Sequence, residues 1–336
     1  TSHIKKEMKN TSLSLAAFTA AALFCSPVRA DAPSTTPKEI VVATFPAYDW
    51  TRQIVGVHTN TLNVSLLEKN GVDLHSYKPS ARDVVRILKA DLFVYVGGES
   101  DGWAESLAEK KRAAHQRVVD FMHTLRDATR PEETVEGMQA EDEHEHEHAH
   151  EHEHGHDHEH EHEVEKDEHV WLSLRFAARL VDALAAEIAA IDPAHAADYR
   201  ANAAAYRAKI LALDARYAEM ARTAKRKTML FADRFPFRYL AEDYGLKYYA
   251  AFAGCSAESE ASFKTVVFLA SKIDALKLPC VLTLERSGGK IAAAVLGAAH
   301  AKPVRILSVD SLQSGEPRDY LQAMTANLAV FAQALN

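Results

Sequence analysis

Short apolar runs alternate with helical segments along most of the chain, before and after one long stretch without Gly or Pro. Such alternation is typical of parallel sheets that are covered by helices on both faces. Because the runs form two groups, we predict an α/β fold of two similar lobes with mainly parallel central sheets. The strands are expected in the segments IVVATF, TLNVSLL, DLFVYV, KTMLFAD, KYYAAF, CVLTLE and VRILSVD.

The stretch from Ala194 to Ala224 contains neither Gly nor Pro, and it follows the helix-start pattern Asp192-Pro193. At 1.5 Å per residue, a helix of this length would exceed roughly 40 Å. We therefore expect residues 191–224 to link an N-terminal lobe, residues 31–190, to a C-terminal lobe, residues 225–336. An ordinary surface helix with a kink is the alternative.

A run of alternating His and acidic residues interrupts the first half of the chain. Ten of the 18 histidines lie between His144 and His162. Imidazole and carboxylate groups both bind divalent cations, whereas the run has no apolar residues with which to build a core. We therefore predict a disordered insert, at about residues 130–167, that collects metal ions loosely. An inert solvated spacer is the alternative.

The composition limits the classes of function. The 336 residues are 47% hydrophobic, which is enough for one large core or two ordinary ones. The formal net charge is −8, but 14 acids and one lysine lie between Glu141 and Glu168, so the remainder is mildly basic. No cluster of basic residues with interleaved aromatics indicates nucleic-acid binding.

The N-terminus has the pattern of an export signal. Lysines precede an apolar run from about Leu13 to Cys25, and Pro27-Val28-Arg29-Ala30 follows. This order predicts a signal peptide over residues 1–30 and a periplasmic protein. Lipidation at Cys25 is the less favoured alternative, because the preceding Phe24 is bulky. No other apolar stretch is long enough to span a bilayer.

Two cysteines, Cys255 and Cys280, lie in the predicted C-terminal lobe. An even pair in an oxidising compartment is compatible with a disulfide. Two buried free thiols are the alternative, and the sequence leaves both open. No His base lies near either cysteine in the sequence, which argues against a catalytic thiol.

Three candidate metal ligands fall at predicted loop positions. His75 lies in a loop after a strand of the first lobe, His169 at the exit of the His-rich run, and Asp310 at the end of a strand in the second lobe. Ligands bind at the carboxyl ends of parallel strands. Nitrogen and carboxylate ligands from separate loops suit Zn²⁺ or Mn²⁺.

Several segments together resemble the solute-binding proteins of zinc and manganese ABC importers. They occur in the expected order and are GVDLHSYKPSARDV, ADLFVYVGGESDGW, EHVWLS, DPAHAADYRANAAAY and ILSVDSL. The resemblance covers residues 39–336, and a His-rich insert before HVWL is typical of the zinc members. It implies two α/β lobes joined by a rigid long helix, with one metal ion between them. His75, His169 and Asp310 would be ligands.

One position departs from the family pattern. The usual third ligand, His in zinc members or Glu in manganese members, falls on Arg234 in the segment ADRFPFRYLAEDYG. A guanidinium remains protonated and cannot coordinate a cation. The candidates to pair with Arg234 or to replace the lost ligand are Asp233, Glu285 and Cys255. Asp233 is preferred because it is adjacent on the same strand–helix turn, and a water molecule is the alternative.

The resemblance implies a monomeric periplasmic protein, not an enzyme, that captures Zn²⁺ and delivers it to an ABC transporter permease. Two imidazoles and few carboxylates favour Zn²⁺ over Mn²⁺, which prefers oxygen ligands. A stand-alone zinc buffer or metallochaperone is the alternative. A zinc hydrolase is a third hypothesis, but it requires a positioned general base for which the sequence shows no pattern.

Overall fold

The computed structural model describes residues 36–67, 74–110, 115–139, 165–256, 260–301, 304–313 and 319–336. The predicted signal peptide, Cys25 and nearly all of the His-rich run lie outside these residues. In the part of the chain that the structure describes, no helix is both long and apolar enough to cross a membrane.

Within the described residues, eight strands form two four-stranded sheets, and all the strand pairs of these sheets are parallel. The first sheet has the order β2-β1-β3-β4 and the second has the equivalent order β6-β5-β7-β8. The strands are β1 (Lys38–Val42), β2 (Leu62–Leu66), β3 (Leu92–Tyr95), β4 (Arg117–Asp120), β5 (Thr228–Phe235), β6 (Lys247–Ala253), β7 (Cys280–Leu284) and β8 (Arg305–Val309). This arrangement confirms the predicted α/β class with two similar parallel sheets.

Ten helices occur in the described part of the chain. They are α1 (Phe45–Val55), α2 (Ala81–Lys89), α3 (Gly102–Lys110), α4 (Phe121–Thr124), α5 (Leu174–Ile191), α6 (Ala196–Thr223), α7 (Arg238–Tyr244), α8 (Phe263–Leu276), α9 (Lys290–Ala298) and α10 (Tyr320–Ala334). Serine side chains accept hydrogen bonds from the first turns of α2, α5 and α8, which satisfies amide groups that have no helical partner.

The long helix α6 is present where the sequence predicts it. A single 3₁₀ turn, Pro193–His195, precedes it. Its buried residues recur at alternating spacings of three and four from Tyr199 onward, so one stripe of the helix faces the interior. The helix packs against α1 and α5 from the first half and against α10 from the second. The boundaries of the predicted lobes remain predictions.

One hydrophobic core extends between the two sheets. It contains Val42 and Val94 of the first sheet together with Phe231 and Leu282 of the second. Two smaller clusters cover the opposite faces, beneath α2 and α3 on the first sheet and beneath α8 and α9 on the second. Apolar burial is the main stabilising contribution to such a fold, so the shared core couples the two halves.

Trp171 fixes the two halves to each other at the base of the site. Its indole Nε1 donates a hydrogen bond of 2.9 Å to the carbonyl of Ser311 in the second half. The hydroxyl of Tyr320 donates to the carbonyl of Trp171 at 2.7 Å. All three residues are buried, and thus the loop that follows His169 is held against the end of β8.

Candidate metal-binding site

A cleft of about 1010 Å³ lies where loops from both sheets meet. Most of its lining lies at or just beyond the carboxyl ends of strands, as expected for a ligand site in parallel sheets. The lining residues that bear on its chemistry are His75, Glu99, Ser100, Glu132, Glu165, Asp233, Arg234, Cys255, Glu285 and Gln313.

Two predicted ligands, His75 and His169, meet in this cleft. Their Nε2 atoms are 3.1 Å apart. His75 lies in the 3₁₀ turn Leu74–Ser76, and His169 immediately precedes the turn Val170–Leu172. The His169 side chain is fully buried, while that of His75 is 11% exposed and therefore forms the accessible side of the pair.

Asp167 sets the orientation of His169. The Asp167 Oδ1 atom is 2.8 Å from Nδ1 of His169, and it also accepts the backbone N–H of His169 at 2.9 Å. A carboxylate partner keeps the proton on Nδ1, so the lone pair of Nε2 points into the cleft. Tyr239 of α7 in turn donates its hydroxyl to the carbonyl of Asp167. This is the arrangement that ligating histidines require.

The base of the His-rich run is held by backbone pairing. Pro131 and Lys166 form an antiparallel bridge, and the Glu132 N–H donates to the carbonyl of Glu165 at 2.8 Å. The chain therefore returns from the run directly at the cleft, where Glu165 is part of the lining. Four residues later it reaches His169.

His75 is oriented from the opposite side. Its Nδ1 atom is 2.6 Å from the Ser100 hydroxyl and 4.0 Å from Oε2 of Glu168. Glu168 is buried, and its Oε1 accepts the Ser100 N–H at 2.9 Å. Gly98 has a φ of +90°, and a Cβ there would lie 2.4 Å from Oε1 of Glu168. The loop after β3 can approach Glu168 this closely only with glycine at that position.

Gln313 engages both imidazoles. Its Nε2 lies 2.9 Å from Nε2 of His75 and 2.7 Å from Nε2 of His169. Its Oε1 lies 3.2 Å from the Ser311 hydroxyl, on the side away from the two histidines. Leu312 between them has a φ of +61°, uncommon for a residue with a branched side chain. The strained turn directs Gln313 into the site.

Asp310 follows β8 as the sequence predicts, and its carboxylate supports this turn. Oδ1 of Asp310 accepts the N–H of Leu312 at 2.8 Å, while its backbone pairs with the amide of Asn327. Asp233 also has its carboxylate on the backbone, with Oδ1 2.9 Å from the N–H of Arg234 and Oδ2 3.1 Å from the N–H of Leu284. Their roles as ligands remain predictions.

Cys255 joins the two histidines. Among the described residues, the ligand atoms of His75, His169 and Cys255 all lie within 4.8 Å of one another, and no acid belongs to that group. Cys255 and Cys280 are both free thiols, so the predicted disulfide alternative is not realised. Cys280 begins β7, at the end of its sheet that is remote from the site.

Acidic groups surround the cleft and shift one another's protonation. Burial raises the pKa of Glu165 to about 7, and Glu99 beside it adds to the effect. Burial also raises the pKa of Glu168 and of Glu285, which accepts the N–H and the hydroxyl of Ser311. Buried carboxylates favour a nearby cation, because the cation offsets the cost of removing them from water.

A protein-family model described as the periplasmic component A of a zinc-uptake complex, ZnuA, matches residues 40–334. The chain belongs to the ZnuA family. Members of this family are metal-binding components of transport systems, which confirms that the chain is not an enzyme.

Two ZnuA-type relatives illustrate the extent of the match. The zinc-binding lipoprotein AdcA of Streptococcus pneumoniae is 31% identical over 334 residues, 97% of this chain and 61% of the relative. The high-affinity zinc uptake system protein ZnuA of Bacillus subtilis is 31% identical over 315 residues, 92% of each chain. The chain thus spans about three fifths of the streptococcal AdcA length.

Solved structures support the fold assignment. Zn(II)-bound AdcA from Streptococcus pneumoniae superposes with a TM-score of 0.67 and 26% identity, over 89% of this chain and 58% of that one. A laminin-binding protein of Streptococcus agalactiae, described as an adhesin with metal transporting activity, superposes with a TM-score of 0.69 and 23% identity. The superposition covers 90% of this chain and 100% of that one. The second likeness shows the fold alone.

The sequence pattern does not place two of the residues of this cleft, Cys255 and Gln313, beside the two histidines. The sequence makes Cys255 one of three candidates near Arg234, but adjacency in sequence favours Asp233 over it. The sequence gives no indication of Gln313, since an amide has no characteristic metal-binding pattern. The spacing from β6 could have favoured Cys255, because it follows the strand by two residues and so lies at the ligand-binding edge.

Proposed function

We propose that the protein is an extracytoplasmic solute-binding protein that captures Zn²⁺ and delivers it to the permease of an ABC importer. The observation that carries the proposal is the convergence of two oriented imidazole Nε2 atoms, 3.1 Å apart, in a cleft between two parallel sheets. Both Nε2 atoms face the same place, which is the requirement for a shared nitrogen-ligated ion.

The family and the named relatives support zinc as the ion. AdcA and ZnuA are named for zinc binding and zinc uptake, and they match almost all of this chain. We further propose a monomer that is exported through a signal peptide over residues 1–30, with lipidation at Cys25 as the less favoured route. The lipoprotein description of AdcA is compatible with either form outside the cytoplasm.

Capture needs no covalent step. Asp167 and Ser100 hold the two imidazoles in position, so that the site is ordered before the ion arrives. The ion would replace the Gln313 amide as the partner of both Nε2 atoms. Binding should weaken below about pH 6, because protons compete for the imidazole lone pairs.

The test is a zinc titration that separates the cleft from the His-rich run. His75→Ala in the full chain should weaken the tightest binding step at least about 100-fold, since a direct ligand exceeds the 10–100-fold effect of an outer-shell partner. Removal of residues 141–164 should lower the number of ions bound but retain the tightest step. His300→Ala, at a 92% exposed side chain, is the matched control.

The opposite pattern would favour the stand-alone zinc buffer. In that case deletion of residues 141–164 would abolish the tight binding, and His75→Ala would leave it unchanged. Reconstitution with the candidate permease and its ATPase then tests delivery. Zinc transport that does not depend on the protein would contradict that part of the proposal.

A further inference from the structure

The atoms of the cleft leave room for three protein ligands around one ion. In a tetrahedral zinc site, ligand atoms lie roughly 3.3–3.8 Å apart, because metal–ligand distances are about 2.0–2.3 Å. The Nε2 atoms of His75 and His169 are 3.1 Å apart. One ring nitrogen of each histidine and Sγ of Cys255 form a set whose members all lie within 4.8 Å of one another. Small shifts of these side chains bring all three to bonding distance of one centre.

The position of Cys255 accounts for the departure at Arg234. Arg234 lies near the end of β5, where the family resemblance places the third ligand, and it pairs in register with Phe252 of β6. Cys255 is three residues beyond Phe252, so it emerges beside that position from the neighbouring strand. A ligand that β5 lacks is thus available one strand away, on the same edge of the sheet.

The loop that carries Cys255 is fitted to His169. The Cys255 N–H donates a hydrogen bond of 2.9 Å to Oε1 of Glu132. A Cβ on the preceding Gly254 would lie 2.9 Å from Cε1 and 3.1 Å from Nδ1 of His169. The backbone of this loop therefore rests against the imidazole ring of His169, one residue before Cys255.

We propose that Cys255 is the third protein ligand, so that the site holds its ion with two imidazoles and one thiolate. This inference rests on the proposed function of the cleft as a metal-capture site. On binding, the thiol loses its proton to solvent and the S–metal bond forms, so that the thiolate cancels one charge of a divalent ion.

The ligand set defines the class of ion. A thiolate with two imidazoles suits Zn²⁺ and other borderline or soft ions, and Co²⁺ is a spectroscopic substitute for zinc in such sites. Mn²⁺ prefers oxygen ligands. A site of two imidazoles and a thiolate should therefore bind Mn²⁺ more weakly than a site of imidazoles and carboxylates would. Cys255 is therefore a specificity-determining residue.

The test is a Co²⁺ titration followed by absorption in the near ultraviolet, where thiolate-to-cobalt charge transfer appears. In the full chain this band should grow as Co²⁺ fills the tightest site and should saturate at one equivalent of Co²⁺. Cys255→Ser should abolish the band. The His-rich run contains no cysteine and cannot contribute the band. Cys280→Ser and Cys25→Ser are the matched controls and should retain it.

Zinc affinity provides the second measurement. Cys255→Ser should weaken the tightest zinc step at least about 100-fold, as for loss of any direct ligand, whereas Cys280→Ser, at a free thiol outside the cleft, should change it less than threefold. Alkylation of the wild-type protein tests the same ligand without any substitution that could disturb folding. Zinc should protect Cys255 from alkylation, and a chelator should restore its reactivity.

Three outcomes decide the inference. A missing charge-transfer band in wild-type protein, with tight zinc binding that His75→Ala abolishes, overturns the role of Cys255 and leaves the proposed function intact. A larger loss for Asp233→Asn than for Cys255→Ser also overturns it. Wild-type protein that binds zinc no more tightly than the His-rich run alone would overturn both proposals.

Discussion

At the scale of single residues, Gln313 occupies the place of greatest chemical interest. The Nε2 atoms of His75 and His169 face each other, and buried ring nitrogens are costly to leave without a hydrogen-bond partner. The Gln313 amide supplies two N–H groups to that point. The side chain is therefore an internal competitor for the position that a captured ion would take.

Replacement of this competitor by a ligand should strengthen zinc binding. In Gln313→Glu, a carboxylate oxygen would face the ion in place of an amide N–H, and we expect affinity to rise about tenfold, or 1.4 kcal/mol. The variant should also unfold at a lower temperature in chelator, since a carboxylate cannot donate to two imidazoles. Calorimetric titration and thermal melts with zinc or chelator measure both effects.

Gln322→Glu is the control, because it makes the same change at an exposed site on α10. It should alter neither the zinc affinity nor the shift in melting temperature that zinc produces. An unchanged or weaker zinc affinity in Gln313→Glu would show that the amide is not displaced by the ion.

The residue scale also shows how far sequence reasoning reaches. His75 and His169 were predicted from their segments, and the structure brings them together. Gln313 depends on the left-handed backbone at Leu312, and Leu gives no sequence signal for positive φ. Cys255 reaches the site only through the parallel pairing of β5 with β6, and a strand order is not visible in a linear pattern.

At the scale of elements, the loop after β6 controls how closely the second sheet approaches the histidines. Gly254→Ala should shift this loop or the ring of His169, because the added Cβ would lie 2.9 Å from Cε1 and 3.0 Å from the carbonyl of Phe235. A backbone carbonyl cannot move as a flexible side chain can. We expect zinc affinity to fall about 10–100-fold and stability to fall about 1–3 kcal/mol.

Gly297→Ala provides the matched comparison, measured by the same titration and by denaturant unfolding. Gly297 lies in α9, and nothing lies within 4 Å of its added Cβ. In Gly297→Ala the free energy of unfolding should rise by up to about 1 kcal/mol, because Ala has a higher helix propensity than Gly. Its zinc affinity should not change. Equal zinc binding by the two variants would contradict the role of Gly254.

Of the eight strands in the part of the chain that the structure describes, seven fall where apolar runs predict them. The exception is β4, whose four residues Arg117–Asp120 offer two apolar side chains between charged ones. So short an edge strand is defined by its pairing with β3, which is a tertiary effect. The long helix was predictable because its buried stripe repeats over 28 residues without a helix breaker.

At the scale of the whole molecule, buried acids make stability depend on pH. Burial raises the pKa of Asp101 to about 7, with Glu168 and Asp120 nearby adding to the effect. The folded state then keeps a proton that the unfolded state releases between about pH 4 and pH 7. Stability from this group is therefore present at pH 4 and lost as the pH rises through 7.

Asp101→Asn should remove most of this dependence, since the amide oxygen can still accept the Val96 N–H that Oδ2 accepts at 2.9 Å. We expect the variant to match wild-type protein at pH 4 and to exceed its unfolding free energy by about 1–3 kcal/mol at pH 8. Denaturant unfolding at several pH values measures this. Exposed Asp182→Asn is the control, and a parallel pH profile for Asp101→Asn and wild-type protein would refute the assignment.

The core shared by the two sheets has a consequence for how a captured ion leaves. Wide separation of the sheets would bring side chains such as Val42, Phe231 and Leu282 into water, at about 1.5–3 kcal/mol for each large one. Exchange is therefore expected to proceed through local motion at the partly exposed His75. The residence time of the ion would then be set by the barrier to rotating a few side chains at the rim of the cleft.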